Sequence, residues 1–146
     1  MNEWRSSLQG IVDGHVHMGG ITEEARLLEI RKAAGIEKMA LVSIQDLESG
    51  AGLAQSLAMK ARHPGVFYVF AGLNHAARLS GGRVSTPSLV EQVDAFAAMG
   101  CDGIKMIESK PDSRRGLSVP LTDAYYSDYW ARVEESDRRS YSPPRN

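Results

Sequence analysis

The residues best suited to chemistry are His15 and His17, which are separated by one residue near the end of an apolar segment, residues 11–17. Side chains on a β-strand alternate between the two faces of a sheet, so Asp13, His15 and His17 are predicted to share one face. Neutral imidazole nitrogen is a good ligand for zinc and related divalent ions. The spacing therefore predicts a metal-binding strand end, and it leaves open an ordinary pair of surface histidines.

The role of Asp13 has two readings. A catalytic zinc site normally has three protein ligands and one open position. Asp13 lies one step deeper on the predicted face of the histidines, where its carboxylate suits either a third ligand or a hydrogen-bond partner for an imidazole N–H. We expect zinc as the divalent ion, and a site with only two ligands should bind it weakly.

Four further polar residues lie in or just after predicted strands. Lys105 lies inside a strand, where it either faces the end of the sheet as a catalytic group or extends along the core surface to reach water. Asn74 and His75 follow the third strand and Glu108 follows the fourth, so each is a candidate for substrate contact. An ordinary loop histidine and a solvated loop carboxylate are the alternatives for His75 and Glu108.

Composition limits the class of protein. The chain has 146 residues, enough for one domain, with 17 Lys and Arg against 18 Asp and Glu. This balance gives no field that would attract nucleic acid or a membrane surface. A single cysteine, a polar N-terminal segment and the lack of a long apolar run predict a cytoplasmic protein without a disulfide framework or a membrane span.

The hydrophobic pattern predicts four strands that alternate with four helices, as in βαβ units of a parallel sheet. The predicted strands cover residues 11–17, 38–44, 66–73 and 103–107. The predicted helices follow caps at Thr22 and Thr86, occupy residues 51–62, and follow residues 121–123. Residues 74–85 and 108–116 are predicted as loops, and chemistry in such folds lies at the carboxyl ends of the strands.

The last eleven residues differ in character from the rest. Residues 136–146 contain one aromatic residue, no aliphatic residue and a pair of prolines. They cannot supply a buried strand, so we predict a frayed helix end followed by a disordered or aberrant tail. The predicted domain therefore covers residues 1–135.

With Asp13-x-His15-x-His17 on the first strand and Gly103-Ile104-Lys105 on the fourth, residues 8–135 resemble the amidohydrolase superfamily of metal-dependent (β/α)8-barrel enzymes, in its decarboxylase-like branch. The resemblance implies the N-terminal half of a barrel that needs about 250 residues. It assigns metal binding to His15 and His17 and places Lys105 at the barrel mouth. The further ligands that the family takes from strands five, six and eight are absent, which suggests a truncated or frame-shifted chain.

The resemblance implies a metal-dependent hydrolase that acts on a C–N or C–O bond of a small molecule, or a decarboxylase. Two other classes remain open. Four βα units leave two open sheet edges, so the chain could be a non-catalytic half-barrel that forms homo-oligomers or only binds metal. An open flavodoxin-like sheet that binds a small anion is the third possibility.

Overall fold

A computed structural model describes residues 10–17, 24–44 and 51–140 of the chain. The elements alternate between strand and helix in the first two thirds of the chain and become mainly helical afterwards. In chain order they are β1 (Ile11–Val16), α1 (Glu24–Ala34), β2 (Ile36–Val42), α2 (Ala51–Arg62), β3 (Phe67–Gly72), α3 (Ala76–Leu79), α4 (Leu89–Met99), β4 (Gly103–Lys105), α5 (Pro111–Leu117) and α6 (Ser127–Ser140), with a 3-10 turn (Ala124–Tyr126) before α6.

The described strands form one sheet in the order β1-β2-β3-β4, and every neighbouring pair is parallel. The predicted α/β class with parallel strands is confirmed. The order follows the chain without a reversal, whereas the flavodoxin-like alternative has its second strand outside the first. In this sheet β1 and β4 each have one neighbour, so each leaves one edge unpaired.

The long helices pack on one face of the sheet. Met39 and Leu41 of β2, with Phe67 and Val69 of β3, contact Leu27 of α1 and Met59 of α2 in one apolar cluster. A second cluster joins the end of β3 to α4 and α6 through Ala71, Leu73, Val93, Phe96 and Tyr129. The opposite face carries Tyr68, which is 37% exposed and accepts a hydrogen bond from Lys38 at 3.2 Å. In the described residues the long helices therefore cover one face of the sheet, and we call the other the open face, although Ala40 and Val42 on it are buried.

Helix α4 begins later than the sequence pattern indicates. Thr86 was the expected cap, but the cap is Ser88, whose hydroxyl accepts from the backbone N–H of Glu91 while the Glu91 carboxylate accepts from the N–H of Ser88. This reciprocal pair is a capping box, which satisfies two helix-end donors. At the other end Gly100 has φ of +91°, a left-handed conformation that ends many helices.

The two segments predicted as loops each contain a short helix. Helix α3 lies within residues 74–85, and the Asn74 side chain accepts from the backbone N–H of Ala76 at its start. Helix α5 begins within residues 108–116 and ends one residue after them, at Leu117. Pro111 lies in its first turn, where a missing N–H costs nothing. Prediction of both segments as loops was wrong. Contacts between distant residues hold them in place, since Gln92 accepts from the backbone N–H of Asn74 and Arg78 donates to the backbone oxygen of Leu117.

The pairing of β1 with β2 is irregular. Val12 pairs with Lys38, Asp13 with Met39 and Val16 with Leu41, so three steps along β1 match two along β2 after Asp13. One extra residue in a strand is a β-bulge, and it reverses the alternation of faces beyond it. Val16, beyond the bulge, accordingly lies in the core at 9%, whereas Val12, before the bulge, is 53% exposed.

Several element boundaries differ from the sequence prediction. All four strands end one or two residues before the predicted limits, and the predicted cap Thr22 lies outside the described residues. Helix α6 continues past the predicted boundary at residue 136 to Ser140, and residues 141–146 lie outside the description. In the part of the chain that is described, no helix is both long and apolar enough to cross a bilayer.

Candidate functional site

The two histidine rings of the first strand converge at the carboxyl end of the sheet. The Nε2 atoms of His15 and His17 lie 2.8 Å apart, and their ring centroids are 4.6 Å apart at an angle of 65°. Lys105, from the end of β4, places its Nζ 3.4 Å from Nδ1 of His15. Residues that are 90 positions apart in the chain thus form one polar group on the open face of the sheet.

The environment of His17 fixes its tautomer. Nδ1 of His17 lies 3.0 Å from the backbone carbonyl oxygen of Val42, which can only accept a hydrogen bond. Nδ1 therefore carries the proton, and in the neutral ring Nε2 presents a lone pair toward His15. Metal-binding histidines commonly donate their other N–H to a backbone carbonyl in this way. His17 is thus prepared to act as a ligand through Nε2.

The environment of His15 favours its neutral form. The Lys105 ammonium, followed by partial burial and by His17, lowers the pKa of His15 from its ordinary value. With the ammonium donating to Nδ1, the neutral ring carries its proton on Nε2 and donates it to Nε2 of His17. The two rings therefore share one proton between the nitrogens that face each other.

Asp13 does not join the two imidazoles. Its Cα pairs with Met39, a core residue, and the bulge that follows separates its face from that of the histidines. Its Oδ1 instead accepts from the backbone N–H of His15 at 3.1 Å. The expectation that Asp13 shares a face with His15 and His17 was wrong because it assumed unbroken alternation. Among residues 10–17, 24–44 and 51–140, no group of three His, Cys, Asp or Glu side chains is placed to hold a metal.

The candidate substrate residues His75 and Glu108 form a buried pair. Nε2 of His75 lies 2.7 Å from Oε1 of Glu108, and the two side chains are 7% and 1% exposed. Nδ1 of His75 lies 2.9 Å from the hydroxyl of Tyr125. The alternative of a solvated Glu108 is wrong, since the residue is only 2% exposed. Tyr125 was missed because only tertiary packing connects it with His75.

The remaining candidate, Asn74, has a structural role in addition to any contact with substrate. Its backbone N–H donates to Oε1 of Gln92 at 2.7 Å, and its backbone oxygen accepts from Nε2 of Gln92 at 3.0 Å. Gln92 is 5% exposed and also donates to the backbone oxygen of Pro87. This one amide side chain ties the end of β3 to the start of α4.

Cys101 packs beside both apolar clusters. Burial raises the pKa of its thiol, which keeps it protonated near neutral pH. These surroundings suit a packing residue rather than a nucleophile.

Comparison of the chain with protein-family models, with curated proteins and with solved structures gave no match.

Proposed function

We propose that this chain is the N-terminal half of a metal-dependent (β/α)8-barrel hydrolase of the amidohydrolase type. It would act on a C–N or C–O bond of a small molecule, or remove a carboxyl group. The observation that carries the proposal is the 2.8 Å approach of the Nε2 atoms of His15 and His17, with Lys105 beside them. The active sites of (β/α)8 barrels lie at the carboxyl ends of the strands, which is where these two imidazoles and this cation meet.

The histidine pair fits two corners of a zinc site. Zinc–nitrogen bonds of about 2.0–2.1 Å in a tetrahedral arrangement place two ligand nitrogens roughly 3.3 Å apart. The observed separation of 2.8 Å is close to this, so a small opening of the pair would admit the ion. The remaining corners would come from water, from residues beyond the described ranges or from a second copy of the chain. Two protein ligands alone should hold the ion weakly.

The residues of the chain have separable roles in this proposal. Val42 orients His17 through its carbonyl oxygen, so Nε2 of His17 needs no change of protonation. His15 must change tautomer, losing the proton from Nε2 and gaining one on Nδ1, which requires Lys105 to turn away from Nδ1. The released ammonium of Lys105 would contact an anionic group of the substrate. A bound divalent ion would supply a hydroxide near neutral pH and polarise a carbonyl.

The architecture supports a barrel half over an open sheet. The strand order follows the chain, and the long helices of the described residues pack on one face. In a (β/α)8 barrel the helices cover only the outer face of the sheet, whereas a doubly wound sheet has helices on both. His15, Lys105 and Tyr68 would then face the barrel interior.

Metal analysis of the purified protein tests the proposal. The wild-type protein is dialysed against zinc and assayed for bound metal, beside a His15→Ala, His17→Ala double variant. We expect the double variant to lose the metal, and a His63→Gln variant to keep it, because His63 contacts Glu24 away from the pair. Equal metal content in wild type and double variant would refute the assignment.

A non-catalytic half-barrel that self-associates is the second candidate function. It is favoured by the unpaired outer edges of β1 and β4 and by the open face that carries Val12 and Tyr68. Such edges and apolar side chains pair readily with another copy. A dimer would also bring a second pair of histidines to the site.

Sedimentation over a range of concentrations distinguishes the two candidates. Self-association that a Val12→Glu, Tyr68→Glu variant abolishes would favour the half-barrel, particularly if the metal is lost with the dimer. A monomer that retains metal at every concentration would exclude the pairing.

A further inference from the structure

A second polar group shares no residue with the histidine pair of β1 and has no role in the metal proposal. It consists of Glu108, His75 and Tyr125, joined by contacts of 2.7 Å and 2.9 Å through the two nitrogens of the His75 ring. We call it the relay. A carboxylate and an imidazole that are both more than nine-tenths buried are costly to keep in a fold unless they are well paired or have a function.

The direction of the hydrogen bonds in the relay follows from what each group can donate. An ionised Glu108 can only accept, so Nε2 of His75 carries a proton and donates it to Oε1. In the neutral ring Nδ1 is then an acceptor, and the Tyr125 hydroxyl donates to it. The chain of donors runs from Tyr125 inward to Glu108. This order lets a proton move inward from Tyr125 to His75. The carboxylate-oriented imidazole of a catalytic triad accepts a proton from its nucleophile in the same way.

The inner end of the relay has hydrogen-bonding groups without a partner. Oε2 of Glu108 is buried without a hydrogen-bond partner, as is the hydroxyl of neighbouring Tyr126. A buried acceptor that is left unsatisfied carries a free-energy cost and calls for an explanation. An imidazolium on His75 would interact favourably with this carboxylate. The inner end of the relay is therefore prepared for positive charge on the ring.

The outer end of the relay opens on a groove of about 880 Å³ between α4, α6 and the segment after β3. Tyr125 and Arg78 both line it, and the Arg78 guanidinium lies 4.7 Å from the centre of the Tyr125 ring. Nε of Arg78 donates to the Leu117 backbone oxygen. Arg132, also in the groove, is paired with Asp94 and Glu135. Arg78 is thus the cation placed to meet a negative charge beside Tyr125.

We propose that this groove binds a small molecule with one weakly acidic hydroxyl, such as a phenol or an enol, and that the relay takes its proton. The ligand O–H bond breaks and its proton passes to the Tyr125 oxygen, while the Tyr125 proton passes to Nδ1 of His75. The ligand becomes an oxyanion beside Arg78, and His75 becomes an imidazolium against Glu108. No other reactant is required. Asp128 in the groove disfavours ligands with more than one negative charge.

The test uses para-nitrophenol, whose phenolate form is yellow, with the full chain and a chelator to remove metal. At a pH well below the probe's own pKa, we expect binding to raise the phenolate fraction about tenfold, equivalent to a fall of one pKa unit. Because the proton stays on His75, an unbuffered solution should show no matching release of acid. Phenolate with stoichiometric release of acid would mean that Arg78 acts alone, and it would overturn the relay.

Matched variants separate the relay from simple packing. Tyr125→Phe and Glu108→Gln should bind the probe without the rise in phenolate. Tyr126→Phe makes the same chemical change at the next residue, whose hydroxyl has no hydrogen bond, and it should behave as wild type. The proposal fails if wild type does not bind the probe, if its phenolate fraction does not rise, or if Tyr125→Phe gives the same rise. Circular dichroism of each variant checks that the fold is intact.

Discussion

At the scale of single residues, Gly103 shows how close the sheet packs at the start of β4. A Cβ atom at this position would lie 2.7 Å from Cε1 of the Phe70 ring, closer than atoms tolerate. We expect Gly103→Ala to lower the free energy of unfolding by about 1–3 kcal/mol, the usual cost of overpacking. Urea unfolding measures it.

The control for that substitution lies on β1. A Cβ atom at Gly14 would meet nothing within 4 Å, so Gly14→Ala should leave stability almost unchanged. Combining Gly103→Ala with Phe70→Leu should recover part of the loss, since the two side chains meet. Equal costs at Gly14 and Gly103 would show that the contact with Phe70 is not the cause.

At the scale of elements, the sequence pattern and the structure assign the N-terminal cap of α4 to different residues. Ser88→Ala removes the hydroxyl that accepts from Glu91, and it should cost about 1 kcal/mol of unfolding free energy. Thr86→Ala changes the residue that the sequence pattern favoured and should cost little. A larger loss at Thr86 than at Ser88 in urea unfolding would contradict the capping box.

The start of α1 is tied to the end of α2 by an ion pair that gives the protein a pH dependence. Hydrogen bonds from Arg62, then from His63, lower the pKa of Glu24 from 4.5 to about 2. Because the folded-state pKa is the lower one, this stabilisation is fully present above the ordinary value and is lost as the pH falls toward 2. We expect Glu24→Gln to lower the melting temperature at neutral pH and to converge with wild type at pH 2.

Glu29→Gln is the control for Glu24, because its side chain is 73% exposed and faces Arg26 at 3.9 Å. Exposed pairs of this kind contribute little. If both variants melt alike across the pH range, the contact of Glu24 with Arg62 does not stabilise the fold.

Elements and site were predictable from the sequence to different degrees. The alternation of strands and helices follows from local patterns, and residues 51–62 were predicted with the bounds that α2 has. The Thr86 cap failed because a Thr-Pro pair resembles a helix start, whereas Glu91 selects Ser88. The approach of His15 to His17 is local, whereas the contact of His75 with Glu108 spans 33 positions and depends on tertiary packing.

At the scale of the whole molecule, Leu53 joins the two apolar clusters, since it packs against both. We expect Leu53→Ala to cost about 2 kcal/mol, the low end for a leucine that is only partly buried. In a Trp4→Phe background, it should also separate the urea transitions followed by Trp130 fluorescence, near the second cluster, and by circular dichroism of the whole chain. Leu79→Ala, at a leucine that is 52% exposed, should do neither. Coincident transitions in Leu53→Ala would show that the clusters unfold as one.

The bulge in β1 determines which of its side chains are exposed to solvent. Val12 stands on the open side, so strict alternation after it would direct His15 and His17 into the apolar interior and leave Val16 outside. The additional residue inverts that outcome for everything downstream of Asp13. Deleting one residue from the strand here would therefore bury the two imidazoles and expose Val16 in their place. The side chains themselves would be unchanged.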